Sequence, residues 1–136
     1  MGHFACSVVE NIKLPTERPG HQDYLTHYTC KVTSGQLDGF LVNVSTRWEI
    51  NGNKGKLLGS VGHAKKSNGT VMYETREGTM KNASIGDELA TGWESTATAT
   101  VKGATGSAAH LNGKTFVMHG RATSAGRFSM EAVLVK

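Results

Sequence analysis

The side chains best suited to chemistry in this chain are a few acids, bases and phenols on the apolar side of an alternating pattern. They are Glu10, His63, Glu77, Tyr28 and Tyr73. Residues two apart in a strand share one face of a sheet, so we expect these five side chains to point into the protein. A glutamate held away from water has a raised pKa and can transfer a proton together with a phenol. Glu10, His63, Glu77 and Tyr73 are therefore the candidate catalytic residues. Alternatively, Glu10 and Glu77 lie near strand ends and reach water at a rim.

The elements that would position these side chains are strands. Apolar and polar residues alternate in runs that end at turn residues such as Asn51-Gly52 and Asn112-Gly113, which is typical of strands joined by tight turns. The eight runs cover residues 4–14, 24–33, 37–50, 56–65, 70–80, 91–101, 115–123 and 127–135. This number is typical of small up-and-down barrels. We predict an all-β fold, a single antiparallel up-and-down β-barrel of about eight strands, with residues 1–136 as one domain. A β-sandwich remains an alternative, because alternation shows which face of each strand is buried and does not show whether the sheet closes into a barrel.

The composition excludes several classes of protein. The 136 residues suit one packed domain. The net charge of +4 is dispersed, with Lys65-Lys66 as the densest basic pair, whereas nucleic-acid binding requires clustered Lys and Arg. No apolar run approaches the roughly 20 residues of a membrane-spanning helix. We therefore expect a soluble protein with no nucleic-acid partner and no membrane span.

Large apolar side chains on the inward face suggest a ligand cavity. The residues expected to line it are Tyr28, Trp48, Tyr73, Trp93, Met118 and Phe128. Aromatic side chains supply a large contact area with few rotatable bonds. Small residues such as Gly59 and Ala97 share this face, so the interior either packs tightly or leaves a pocket.

The two cysteines predict a disulfide. A hairpin register centred on Arg18 places Cys6 opposite Cys30 and Val8 opposite Tyr28. Directly opposed Cβ atoms lie about 4.5–5.5 Å apart, close enough for a bridge. A disulfide indicates an exported protein, periplasmic or secreted, whose signal peptide would be absent from this sequence. Two reduced, buried cysteines are the alternative.

The six histidines show no spacing typical of metal ligands. The sequence also lacks a phosphate-binding loop, a dinucleotide fingerprint and a serine nucleophile motif. We therefore expect neither a metal nor a cofactor.

Part of the C-terminal third resembles a known family. Its segments are Val101-Lys-Gly-Ala-Thr-Gly-Ser-Ala-Ala, Leu111-Asn-Gly-Lys-Thr-Phe and Gly120-Arg-Ala-Thr. They resemble the Gly-Gly-Thr-Gly-x-Phe segment and following strands of allene oxide cyclase-like and dirigent-like barrels. The resemblance implies an eight-stranded barrel with a hydrophobic cavity and permits isomerase or cyclase activity. Ala104 replaces the second glycine and no Phe stands two residues after Gly106, and no catalytic residue of the family maps onto this chain. Lipocalin-like and avidin-like barrels remain alternatives to this family.

Three functions follow as hypotheses. The first is binding of a small hydrophobic molecule in the barrel. The second is a cofactor-independent isomerase or cyclase that holds its substrate in the same cavity, so the sequence leaves open whether the protein is an enzyme. The third is a protein-interaction or inhibitor module that uses an exposed sheet face. The sequence also leaves homo-oligomerisation open.

Overall fold

A computed structural model describes residues 2–81 and 93–135. The eight strands are β1 (Gly2–Pro15), β2 (His21–Val32), β3 (Leu41–Asn51), β4 (Lys54–Lys66), β5 (Gly69–Lys81), β6 (Glu94–Gly106), β7 (Thr115–Ser124) and β8 (Arg127–Val135). Each strand pairs antiparallel with the next, and β8 pairs with β1 to close the barrel. This confirms the predicted up-and-down barrel and excludes the sandwich. The predicted start of the sixth strand, at residues 91 and 92, lies outside the described residues.

The third strand begins later than its pattern predicted. Residues 37–40 precede β3 in a turn, in which the Phe40 N–H donates to the Leu37 carbonyl at 2.9 Å. Gly35 and Gly39 have φ of 87° and 85°, a left-handed conformation that interrupts a strand ladder. Leu37 and Phe40 are nevertheless buried, so apolar alternation here reflects a buried loop and not a strand.

The two ends of the barrel differ. At the end that holds the β2–β3 and β6–β7 connections, loop residues Leu37, Phe40, Ala108 and Leu111 are each at most 3% exposed, and we call it the plugged end. The β1–β2, β3–β4 and β7–β8 connections lie at the opposite, far end. The plugged end is therefore closed by side chains from its own loops.

The cysteine pairing agrees with the prediction. Cys6 lies directly opposite Cys30, and Val8 lies opposite Tyr28. The Cys6–Cys30 disulfide has an S–S distance of 2.00 Å and a Cα–Cα distance of 4.0 Å. The bridge joins β1 to β2 next to the seam with β8, because Cys6 also pairs with Phe128.

Three of the β-bulges in the described strands interrupt the alternation close to the predicted catalytic residues. The register shifts between Val8 and Glu10 in β1, between Thr75 and Glu77 in β5, and in β4 where Leu57 and Gly59 face consecutive residues of β3. The extra residues are therefore Val9, Arg76 and Leu58. A one-residue bulge shifts the phase of the following residues, so that side chains expected inside point outside.

Candidate functional site

Five polar side chains form one cross-strand row in the barrel interior. Its members, called the polar belt below, are Asn11, Thr26, Thr46, Ser60 and Thr75. They come from β1 to β5 and are directly opposed from strand to strand. Asn11 is half-buried, and the other four are between 5% and 8% exposed. Five adjacent strands thus present hydroxyl or amide groups in one cross-strand row, and a further buried amide, that of Gln22, lies nearer the far end opposite Ile50.

The polar belt lies between two apolar clusters. The larger cluster is on the side of the plugged end and includes Tyr28, Tyr73 and Phe128. The smaller one, towards the far end, consists of Trp48, Ile50 and Leu57, with Tyr24, Met80 and Ala97 packed against it. Burying hydroxyl groups in such surroundings costs free energy unless they are hydrogen-bonded. Within the described residues, the side-chain hydrogen bond found in the polar belt runs from Thr46 Oγ1 to the Thr26 carbonyl, at 3.4 Å. The polar belt therefore has hydrogen-bonding capacity that the described part of the protein leaves unused.

Two tyrosines lie one level nearer the plugged end than the polar belt. Tyr28 and Tyr73 belong to one cross-strand row, separated by Val44 and Gly62. Burial raises the pKa of both phenols above the ordinary value of 10, and the nearby Tyr28 raises the pKa of Tyr73 further. Both groups are therefore protonated at neutral pH and act as neutral hydrogen-bonding groups, not as bases.

Aromatic contacts hold these two rings in place. Tyr28 packs edge-on against Phe128 with ring centroids 4.9 Å apart, and Tyr73 packs edge-on against Phe116 at 5.8 Å. Trp93 packs against Phe128 at 5.2 Å. Such tilted pairs are the favourable arrangements for aromatic rings, so the tyrosines are fixed parts of the interior wall.

All six predicted ligand-lining residues face the interior, in two groups. Tyr28, Tyr73, Met118 and Phe128 are buried in the larger cluster, and Trp93 packs against it half-buried. Trp48 is 8% exposed and belongs to the smaller cluster. Along β2 and β3 the polar belt lies between Trp48 and Tyr28, whereas on β6 and β7 the two clusters meet where Ala97 pairs with Met118. That these residues bind a ligand stays a prediction.

The structure does not bring the predicted catalytic residues together. Glu10, His63 and Glu77 are exposed on the outer surface, and only Tyr73 is buried inside. The prediction that these three face inward is wrong because each follows a bulge, at Val9, Leu58 and Arg76 respectively. Val61, which a simple alternation starting from Leu57 would place inside, is 57% exposed for the same reason. The interior therefore lacks the predicted acid–base set.

His63 lies instead in a depression of about 820 Å³ on the outer surface. Leu41, Asn43, Lys65 and Lys66 also line it. Its basic and amide groups face solvent, and the barrel wall separates them from Tyr73. His63 and Tyr73 therefore cannot act on one bound molecule.

Sequence reasoning missed the polar belt as a unit. Thr46 and Thr75 fall on the inward face of their strands in a simple alternation. Thr26 does so too, between Tyr24 and Tyr28, whereas Asn11 and Ser60 face inward only because of the bulges at Val9 and Leu58. The signal that could have found the belt is a hydroxyl-bearing residue at the same height in consecutive strands.

Comparison of the chain with protein-family models, with curated proteins and with solved structures gives no match. The resemblance to allene oxide cyclase-like and dirigent-like barrels therefore stays a prediction. The described residues contain no helical segment that could span a lipid bilayer.

Proposed function

We propose that this barrel binds a small, mainly apolar molecule in its interior, close to the polar belt. The observation that carries the proposal is the buried row of Thr26, Thr46, Ser60 and Thr75 between two apolar clusters. Small-molecule sites combine an apolar lining with a few placed polar groups. A molecule with apolar parts and a central polar group matches that arrangement.

Access is proposed from the far end of the barrel. The plugged end is filled by buried loop side chains, including Leu37 and Leu111. Towards the far end, Tyr24, Met80 and Ala97 are only partly buried around Trp48. Partly exposed apolar side chains at the end of a barrel suit the first contact with an apolar molecule.

The Cys6–Cys30 disulfide supports a proposal about location. Disulfides persist mainly in oxidising compartments, so we propose that the protein acts in a periplasm or outside the cell. A binding protein for apolar molecules would there keep a poorly soluble compound dispersed in water.

The isomerase or cyclase hypothesis is less well supported than binding. Glu10, His63 and Glu77 lie outside the barrel, and the raised pKa values of Tyr28 and Tyr73 make both poor bases at neutral pH. An interaction module has one observation in its favour: Ile12 and Leu25 are directly opposed on the outer face and 44% and 47% exposed. Self-association through this face is part of that alternative.

The test is a titration with N-phenyl-1-naphthylamine, an uncharged apolar fluorophore, followed through its emission and through quenching of Trp48 and Trp93. We expect saturable binding to one site. Ala97→Phe adds a large side chain next to the smaller cluster and should weaken binding at least about tenfold by filling the space the ligand needs. Circular dichroism would verify that this variant remains folded.

The matched control changes the outer surface. Val61 and Met72 are 57% and 53% exposed on neighbouring strands, so Val61→Ser and Met72→Ser remove apolar surface outside the barrel and should leave binding unchanged. Loss of binding in the outer variants, with full binding in folded Ala97→Phe, would disprove an interior site. Absence of saturable binding in the wild type would disprove the proposed function.

A further inference from the structure

The hydroxyl group of Tyr73 is a buried polar group without a partner. The side chain is 3% exposed, and among the described residues its oxygen has no hydrogen-bond partner. Nearly all buried polar atoms in folded proteins are hydrogen-bonded, because an unpaired one loses its interactions with water and gains nothing in return. The hydroxyl group therefore has a capacity that the described residues do not use.

The structure holds this hydroxyl group in a defined place. The Tyr73 ring lies directly over Gly62, where a Cβ atom would overlap both the ring and the hydroxyl oxygen. On its other side the ring packs edge-on against Phe116, with an interplanar angle of 65°. Gly62 is thus the residue that leaves room for the phenol, and a rigid donor is suited to recognise one acceptor position.

The described residues around the hydroxyl group are uncharged. The described part of its cross-strand row contains Val8, Tyr28, Val44, Gly62 and Val101. The adjacent polar belt contributes only hydroxyl and amide groups. A charged ligand group would lose its hydration here and find no counter-ion.

We propose, on the basis of the proposed function, that the ligand is an uncharged molecule with a carbonyl-type oxygen that accepts a hydrogen bond from the Tyr73 hydroxyl group. The polar belt lies at the next level and supplies further hydroxyl groups for the same part of the ligand. The apolar parts of the ligand contact the aromatic residues of the two clusters. Ketones, esters and lactones have this chemistry, whereas fatty-acid anions and ammonium compounds do not.

The experiment compares two ligands of the same shape in two proteins. The probes are acetylnaphthalene and isopropenylnaphthalene, in which a methylene group replaces the carbonyl oxygen. Their dissociation constants are measured for the wild type and for Tyr73→Phe. We expect the variant to bind the ketone about three- to tenfold more weakly, as for one lost neutral hydrogen bond. Its affinity for isopropenylnaphthalene should change less than about twofold, since that probe makes no hydrogen bond.

The outcomes separate this inference from the proposed function. Equal binding of both probes by both proteins would overturn the role of Tyr73 while leaving the apolar site intact. Binding of neither probe by the wild type would overturn both. Naphthoate, a charged probe of similar shape, should bind at least about tenfold more weakly than the ketone, and equal affinity would overturn the requirement for an uncharged ligand.

A second measurement compares the stability of Tyr73→Phe with that of the wild type. Because the hydroxyl group has no partner among the described residues, Tyr73→Phe should unfold at the same urea concentration as the wild type or at a higher one. A markedly lower midpoint would show that the hydroxyl group is already satisfied inside the protein and would overturn the inference.

Discussion

Two phenol groups dominate the chemistry inside this barrel. Tyr28 and Tyr73 are buried in one cross-strand row, and the pKa of each is raised by loss of hydration. A raised pKa makes the neutral phenol the stable form, so that both side chains can donate hydrogen bonds over the whole physiological range of pH. At the scale of single residues, these two phenols are therefore suited to hydrogen bonding and poorly suited to proton abstraction.

The raised pKa values of these two tyrosines predict that the protein loses stability in alkaline solution. In the unfolded chain a tyrosine ionises near its ordinary pKa of 10, whereas in the folded protein Tyr28 and Tyr73 ionise only at higher pH. Between these values the unfolded state releases protons that the folded state retains, so the free energy of unfolding falls as pH rises above about 10. Urea unfolding between about pH 9 and about pH 11 would measure this fall.

Phenylalanine variants isolate the tyrosine contribution. Tyr28→Phe and Tyr73→Phe should each lose less stability over that pH range than the wild type, and the double variant least of all. Other groups such as lysines contribute equally to all four proteins, so their effect cancels in the comparison. Parallel curves for the four proteins would contradict the raised pKa values.

At the scale of elements, the β-bulges decide which side chains are inside. Without the bulge at Leu58, the alternation that places Leu57 inside would also place Val61 and His63 inside. With it, Ser60, Gly62 and Ala64 face the interior. The bulges in β1 and β5 act in the same way on Glu10 and Glu77. The polar belt thus depends on these irregularities, because Ser60 joins it only after the change of phase.

Deleting Leu58 tests this dependence. Removal of the extra residue would turn Val61 and His63 inward and the small residues outward, or force β4 to slip against both neighbours. We expect a destabilisation of more than about 4 kcal/mol, large enough to abolish the cooperative urea transition of a marginally stable domain. Far-UV and near-UV circular dichroism would record the loss of packed structure.

The matched control keeps the bulge and changes only its side chain. Leu58 is 42% exposed, so Leu58→Ser should alter the free energy of unfolding by no more than about 0.5 kcal/mol. If the deletion variant unfolds at the same urea concentration as Leu58→Ser, the bulge does not determine the orientation of β4.

At the scale of the whole molecule, closure of the barrel depends on a short seam. Residues 2–7 of β1 pair with residues 127–132 of β8, whereas β1 pairs with β2 along most of its length. Cys6 lies within this seam and is bonded to Cys30 of β2. The disulfide therefore links β1, which closes the barrel by pairing with β8, covalently to β2.

Removing the disulfide should weaken the folded barrel without abolishing it. For a sequence separation of 24 residues, we expect the Cys6→Ala, Cys30→Ala double variant to lose about 2–4 kcal/mol of unfolding free energy in urea. Reductant should lower the stability of the wild type by a similar amount and leave the double variant unchanged. Equal stability of oxidised and reduced wild type would show that the bridge does not contribute to closure.

Closure into a barrel and not a sandwich stayed open from the sequence alone, which predicted the eight strands, the Cys6–Cys30 pairing and the inward orientation of the large aromatic residues. These features depend on local alternation, on turn residues and on the register of one hairpin, all of which are visible in a single stretch of chain. The outward position of Glu10, His63 and Glu77, and the alignment of hydroxyl and amide side chains from five strands in one belt beside Tyr73, follow only from the folded barrel. A bulge and a cross-strand row are properties of paired strands. They depend on how each strand pairs with both of its neighbours once the sheet has closed. The alternation within one strand therefore does not predict them.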